Sequence, residues 1–87
     1  MPDIVIYTKD YCPHCTKAKA LLTQKKQTFR EIDITRDEQL QAEMIEKSGG
    51  RRTVPQIFIG STHVGGADDL YALNAAGKLD ALFTRSV

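Results

Sequence analysis

No apolar run in this 87-residue chain approaches the roughly 20 residues needed to cross a bilayer. The opening stretch, M-P-D-I-V-I-Y, has no basic region leading into an apolar segment and a small-residue cleavage site, so no secretory signal is visible. Neither sign of charge dominates: 12 Lys and Arg stand against 11 Asp and Glu, a formal +1, which excludes a strongly basic or acidic protein. The cations Lys17, Lys19, Lys25, Lys26 and Arg30 do precede a run of acids from Glu31 to Glu46, a pattern read as solvated helix faces rather than a nucleic-acid surface. Linkers, repeats and low-complexity segments are also missing. The expectation is one soluble, cytoplasmic, monomeric domain over residues 1–87, with no membrane or nucleic-acid partner. At 41% hydrophobic and 26% charged the composition is that of an ordinary globular domain, and a chain of this length buries roughly 65% of its unfolded surface.

Cysteine is scarce too, and its two occurrences are neighbours: Cys12 and Cys15, separated by Pro13 and His14. Structural disulfides are rare inside cells, so a close pair there points to redox catalysis or metal binding. The β-branched run from Ile4 to Tyr7 reads as a strand buried on both faces. From Pro13 the spacing of Cys15, Ala18, Leu21 and Leu22 becomes helical, and proline suits a first helical position. Cys12 then falls at the N-cap and Cys15 one turn inside.

A second strand is expected at Glu31 to Ile34, with Phe29 out of its register. Thr35-Arg36-Asp37-Glu38 fits a capping box for a second helix bearing Leu40, Met44 and Ile45, which S-G-G ends. V-P-Q-I-F-I reads as a third strand, Gly60-Ser61 as a tight turn, T-H-V as a fourth strand that Gly65-Gly66 breaks. Asp68 or Asp69 would open a third helix, with Leu70, Tyr71 and Leu73 assigned to the core and Gly77 at its end. Leu79, Leu82 and Phe83 suggest a last helical turn. The order β-α-β-α-β-β-α predicts an α/β protein with a four-stranded mixed sheet flanked by helices. A CxxC pair at the first strand-to-helix junction of such a chain signals a thioredoxin-like redox motif.

Cysteines at this spacing in a first helical turn lie close enough to form a disulfide without unfolding. At the N-cap, Cys12 faces backbone N–H groups and the positive end of the helix dipole, which favour thiolate over thiol. A readily ionised sulfur is also a good leaving group from a mixed disulfide. Cys15, on the core-facing stripe, is expected to be buried, to hold its proton more tightly, and to resolve a mixed disulfide by attacking Cys12.

Three fragments in this order, Y-T-K-x-x-C-P-x-C, R-T-V-P-Q-I-F-I and V-G-G-A-D-D-L, resemble the dithiol (class I, bacterial-type) glutaredoxins over nearly the whole chain. The resemblance implies a thioredoxin-like fold and glutathione-dependent thiol–disulfide exchange. Protein disulfides would be reduced by a two-cysteine route, and protein–glutathione mixed disulfides by a one-cysteine route. It implies no bound cofactor and no metal, with glutathione as the electron-donating co-substrate and glutathione reductase with NADPH behind it. Protein partners would carry disulfides or glutathione, ribonucleotide reductase among them. Carried over by position, Lys9 would attract a glutathione carboxylate and Cys12 would form the mixed disulfide. His14, between the cysteines, would also belong to the glutathione site, and Thr53, Val54 and Pro55 match a cis-proline loop that pairs with the tripeptide backbone. Gly66, Ala67 and Asp68 would hold the γ-glutamyl end, and Arg52 would meet the glycyl carboxylate.

Three departures stand out. Pro-His replaces the family's usual Pro-Tyr between the cysteines, which would make the dithiol more oxidising. Ala67 takes the place where some relatives carry a further cysteine. Gly49-Gly50 is one residue longer than the usual single glycine, leaving Arg51 and Arg52 as alternatives for one position. Two rival readings remain: a zinc site using Cys12, Cys15, His14 and His63, although His14 should diverge from the cysteines and His63 should face solvent, and a glutathione-ligated iron–sulfur cluster. The cluster-carrying type usually has a single cysteine, in Cys-Gly-Phe-Ser, which this chain lacks.

Overall fold

The computed structural model describes residues 3–10 and 12–84. Its elements are β1 (Ile4–Thr8), α1 (Pro13–Gln24), β2 (Arg30–Asp33), α2 (Glu38–Lys47), β3 (Gln56–Ile59), β4 (Thr62–Gly65), α3 (Ala67–Ala75) and α4 (Leu79–Thr84). The strands form one sheet in the order β2-β1-β3-β4, with β1 parallel to β2 and antiparallel to β3, and β4 antiparallel to β3. This is the mixed four-stranded sheet the sequence predicts.

β1 is paired on both edges and covered by helices on both faces, which suits its nearly continuous apolar run. Alternation divides the strand between two cores. Ile4 and Ile6 join Ala18, Leu21 and Leu22 of α1, Leu70 of α3, and Leu79 and Phe83 of α4. Tyr7 turns the other way, to Ile34 and to Met44 of α2, with Val5, Ile32 and Phe58 partly buried beside it. Each fully buried leucine contributes about 1.5–3 kcal/mol, so α1, with Leu21 and Leu22 both inside, is held firmly against the sheet.

Several boundaries differ from expectation. β2 begins at Arg30 and ends at Asp33; Ile34 lies just beyond it, yet its N–H still donates to Thr8 O at 2.8 Å. Helix α2 is capped not by Thr35 but by Asp37, whose Oδ1 accepts the Leu40 N–H at 3.0 Å. Thr35 is otherwise engaged: its Oγ1 accepts the Asp10 N–H at 2.8 Å and donates to Asp33. Strand β3 starts at Gln56 rather than Val54, because Pro55 has no N–H to give a ladder.

Helix α3 opens at Ala67 with Gly66 as N-cap, so Asp68 and Asp69 both lie in its first turn. Asp69 reaches back to accept the Gly66 N–H at 2.9 Å. Tyr71, assigned to the core from sequence, is 40% exposed. Its hydroxyl donates to Lys17 O at 3.0 Å, an attachment a fully buried ring would need to find inside the core.

The two glycines between β4 and α3 are not equivalent. Gly65 has φ +112°, and a Cβ there would collide with the Asp69 carboxylate; Gly66 has an ordinary φ of −89°, and the nearest atom to a Cβ would be Pro55 O at 3.6 Å. Gly65→Ala should therefore lower stability by about 2 kcal/mol or more, whereas Gly66→Ala should cost less than about 1 kcal/mol. Urea unfolding midpoints of the two variants check this; equal losses would contradict it.

Candidate active site

The chain leaves the C-terminal end of β1, turns at Lys9 and Asp10, and enters α1 at Cys12. Cys12 is the N-cap, with extended backbone (φ −108°, ψ 102°), and Pro13 follows at the first helical position. The Cys15 N–H donates to Cys12 Sγ at 3.2 Å. The Cys12 thiol in turn lies 3.8 Å from Val54 O. Cys12 is half-buried, and Cys15 is only 2% exposed. No disulfide joins the two.

The two thiols thus occupy different environments one helical turn apart. Burial, followed by hydrogen bonding to the Cys12 sulfur, pushes the Cys15 thiol up to about 12. The neutral thiol is the stable form where water cannot solvate the anion. The Cys12 sulfur instead receives a backbone N–H at a helix start, a setting suited to negative charge.

Cys12 lines one depression, and Val54, whose carbonyl it meets, lines another. The first, of about 550 Å³, includes Lys9, Cys12, Cys15, Lys19, Glu31 and Asp33. Within it Glu31 Oε2 meets Lys19 Nζ at 3.0 Å and accepts the Thr8 hydroxyl at 2.8 Å; these contacts, Lys19 first, hold its carboxyl below the usual range. The Thr35 hydroxyl and N–H do the same for Asp33. The other depression, of about 300 Å³, is lined by His14, Arg51, the loop Thr53, Val54 and Pro55, and the start of α3 from Gly66 to Asp69. The Val54–Pro55 peptide bond is cis. Val54 joins the two regions, since its carbonyl is the one that meets Cys12.

The structure gathers most of the residues singled out from sequence, but not as one group. His14, Thr53, Val54, Pro55, Gly66, Ala67 and Asp68 share the second depression, whereas Lys9 lines the first. Arg52 is exposed and lines neither; Arg51 is the arginine of the second depression, with Nη2 3.5 Å from Asp69 Oδ2. The extra residue of Gly49-Gly50 was the only sequence signal for that choice. Ser48 fixes it: its Oγ donates to Arg51 O at 3.0 Å and accepts the Arg51 N–H at 3.1 Å. Lys19 and Glu31 were missed. Lys19 stands one turn beyond Cys15 on α1, a spacing that could have suggested it, whereas Glu31 arrives only through the pairing of β2 with β1.

His63 also departs from expectation. It is half-buried, stacks on Phe58 with centroids 4.8 Å apart, and places Nε2 2.7 Å from Gln56 Oε1. His14 is exposed, and among the described residues no group of three or more His, Cys, Asp or Glu is placed to hold a metal. No helix among them is long and apolar enough to cross a membrane. An accessible sulfur with a buried thiol behind it can attack a disulfide and then be relieved by its neighbour.

Comparison with known proteins agrees with this chemistry. The glutaredoxin family model matches residues 4–64. A glutaredoxin of Pseudomonas aeruginosa is 55% identical over 84 residues, covering 97% of this chain and 99% of the relative. The solution structure of glutaredoxin from Brucella melitensis superposes with a TM-score of 0.85 at 55% identity, covering 100% of this chain and 96% of that one. The crystal structure of a buckwheat glutaredoxin–glutathione complex also gives a TM-score of 0.85, at 31% identity, covering 95% of this chain and 77% of that one.

The pairing of an accessible with a buried thiol sets an expectation for alkylation. Iodoacetamide reacts with thiolates, and Cys15, pushed up to about 12, stays protonated through pH 9. Peptide mapping after brief labelling between pH 6 and 9 should find the label on Cys12 alone. Comparable labelling of Cys15 in the folded protein would refute this account of its environment.

Proposed function

Because the chain belongs to the glutaredoxin family, we propose that it is a glutathione-dependent thiol–disulfide oxidoreductase in which Cys12 is the nucleophile and Cys15 the resolving thiol. The observation that carries this reading is the position of Cys12 Sγ: in the first depression, 3.8 Å from the carbonyl of Val54, which lines the second, bonded by the Cys15 N–H at 3.2 Å, with the Cys15 thiol buried behind it.

In the one-cysteine route the Cys12 thiolate attacks the glutathionyl sulfur of a protein mixed disulfide. The sulfur–sulfur bond of that mixed disulfide breaks, the protein leaves as thiolate, and Cys12 carries glutathione in a new disulfide. A second glutathione thiolate attacks the bound glutathione sulfur, forming oxidised glutathione and restoring Cys12. In the two-cysteine route Cys12 attacks a protein disulfide and releases one protein sulfur. Cys15 then loses its proton and attacks Cys12 Sγ, expelling the second protein sulfur and closing the Cys12–Cys15 disulfide, which two glutathiones reopen.

The buried thiol is timed by its neighbour. Part of what holds its proton is the bond to, and the charge of, the Cys12 sulfur. Both influences fall away once that sulfur is neutral in a mixed disulfide, so Cys15 becomes a better nucleophile at the step that needs one.

Glutathione fits the second depression. The Val54 backbone would pair with the tripeptide as a short added strand. The first N–H groups of α3 at Gly66 and Ala67 would take the γ-glutamyl carboxylate, and the exposed Asp68 would meet its ammonium. Arg51 supplies the cation that lines this depression, in place of Arg52. Lys9 and His14 stand on either side of the bound sulfur. Oxidised glutathione is then recycled by glutathione reductase and NADPH. The protein acts as a cytoplasmic monomer in electron transfer to disulfide-containing or glutathionylated proteins, ribonucleotide reductase being one candidate. An iron–sulfur role is not favoured, the motif here being Cys-Pro-His-Cys.

An assay of glutathione-mixed-disulfide reduction, coupled to glutathione reductase and NADPH, tests the proposal. Cys15→Ser should keep deglutathionylation and lose dithiol reduction, while Cys12→Ser should lose both; equal loss in the two variants would overturn the assignment. His14→Tyr should shift the dithiol couple toward stronger reduction at equilibrium with the glutathione pair. An unchanged equilibrium would remove His14 from that role.

A further inference from the structure

Gln56 opens β3 fully buried, and both ends of its amide are engaged. Its Nε2 donates to Thr53 O at 3.0 Å and to Thr53 Oγ1 at 3.2 Å, while its Oε1 meets His63 Nε2 at 2.7 Å. The Thr53 carbonyl can only accept, so the NH₂ end must face Thr53 and the oxygen must face the imidazole. His63 Nε2 therefore carries a hydrogen. The ring that presents it is fixed by stacking on Phe58, at 4.8 Å and 27°.

This chain of contacts ends behind the second depression. Thr53 and Val54 belong to no helix or strand, and no backbone–backbone hydrogen bond holds either of them among the described residues. The segment from 51 to 55 is tied by side chains instead, Ser48 at Arg51 and Gln56 at Thr53. Fixing the Thr53 carbonyl from the rear sets the plane of the peptide that follows it, and hence the direction in which Val54 presents its N–H.

We propose that Gln56 and His63 are positioning residues for the glutathionyl group: the His63–Gln56–Thr53 relay holds the Val54 backbone in the orientation that pairs with the tripeptide. The inference rests on the glutathione reading above. A contact made equally in the ground and transition states alters KM and leaves kcat alone. The attack of Cys12 on a small disulfide that does not occupy the depression needs no such pairing.

The test uses a glutathionylated cysteinyl peptide as substrate in the coupled assay, alongside single-turnover reduction of an aromatic disulfide, dithionitrobenzoate. Gln56→Leu should raise KM for the peptide about tenfold, with kcat and the aromatic-disulfide rate little changed. His63→Phe, which keeps the ring stack but removes the N–H, should raise KM about threefold, and His63→Gln, which restores a donor, should bring it back. Unchanged KM in folded Gln56→Leu, or a parallel fall in kcat and in the aromatic-disulfide rate, would overturn the inference. Should Gln56→Leu fail to fold, the two His63 variants decide it by the same criteria. Wild-type protein that reduces the aromatic disulfide but shows no saturable turnover of the peptide would defeat the glutathione reading and this inference together. Saturable wild-type turnover with KM unmoved in every variant defeats only this inference.

Discussion

Pairing of β1 on both edges is the constraint from which the rest follows. A strand with neighbours on each side and helices over each face leaves little room for solvent, so it is largely apolar, Thr8 being buried with its hydroxyl bonded to Glu31. That packing makes the end of β1 a rigid platform. The helix that starts there has Leu21 and Leu22 buried against the same sheet, which leaves its N-terminus little freedom to move. A sulfur at that N-cap is consequently held in place by the core, not by the loop that carries it.

Polar groups buried next to this platform are all satisfied: no buried side-chain nitrogen or oxygen among the described residues lacks a partner. Thr8 donates to Glu31, Gln56 links Thr53 to His63, and Ser48 secures Arg51. The first ties β1 to β2, and the other two join an element of the sheet or a helix end to a loop of the site. An unpaired buried donor or acceptor costs about 1–3 kcal/mol, so these bonds specify loop positions that apolar packing alone would leave open.

The difference between the two cysteines follows from the same architecture. One helical turn separates an N-cap at the surface from a residue packed against β1, and the dielectric surroundings change over that short distance. Burial stabilises the neutral form of Cys15, whose backbone N–H bonds the outer sulfur. The two thiols are thereby distinguished chiefly by burial, the first cause of the raised Cys15 value.

How much of this was legible in the chain depends on the range of the interactions involved. Element order, the hairpin at Gly60-Ser61 and the placement of Cys12 and Cys15 follow from local periodicity, because each rests on residues within a few positions of one another. Thr35 lost the α2 cap to Asp37 because Asp10 and Asp33 occupy its side chain, and Asp10 is remote in sequence. Tyr71 was read as core from its position on a helix stripe, and its exposure follows from how α3 meets Lys17 of α1. Likewise the choice of Arg51 over Arg52, the separation of Lys9 from the Val54 loop, and the burial of His63 against Phe58 and Gln56 appear only once the strands are in register. By itself, then, the sequence determined the order of the elements and the placement of the cysteine pair at a helix start, since backbone propensity acts over a single turn. Only the tertiary structure decided which side chains surround the sulfur, because strand pairing brings together residues that propensity treats as independent.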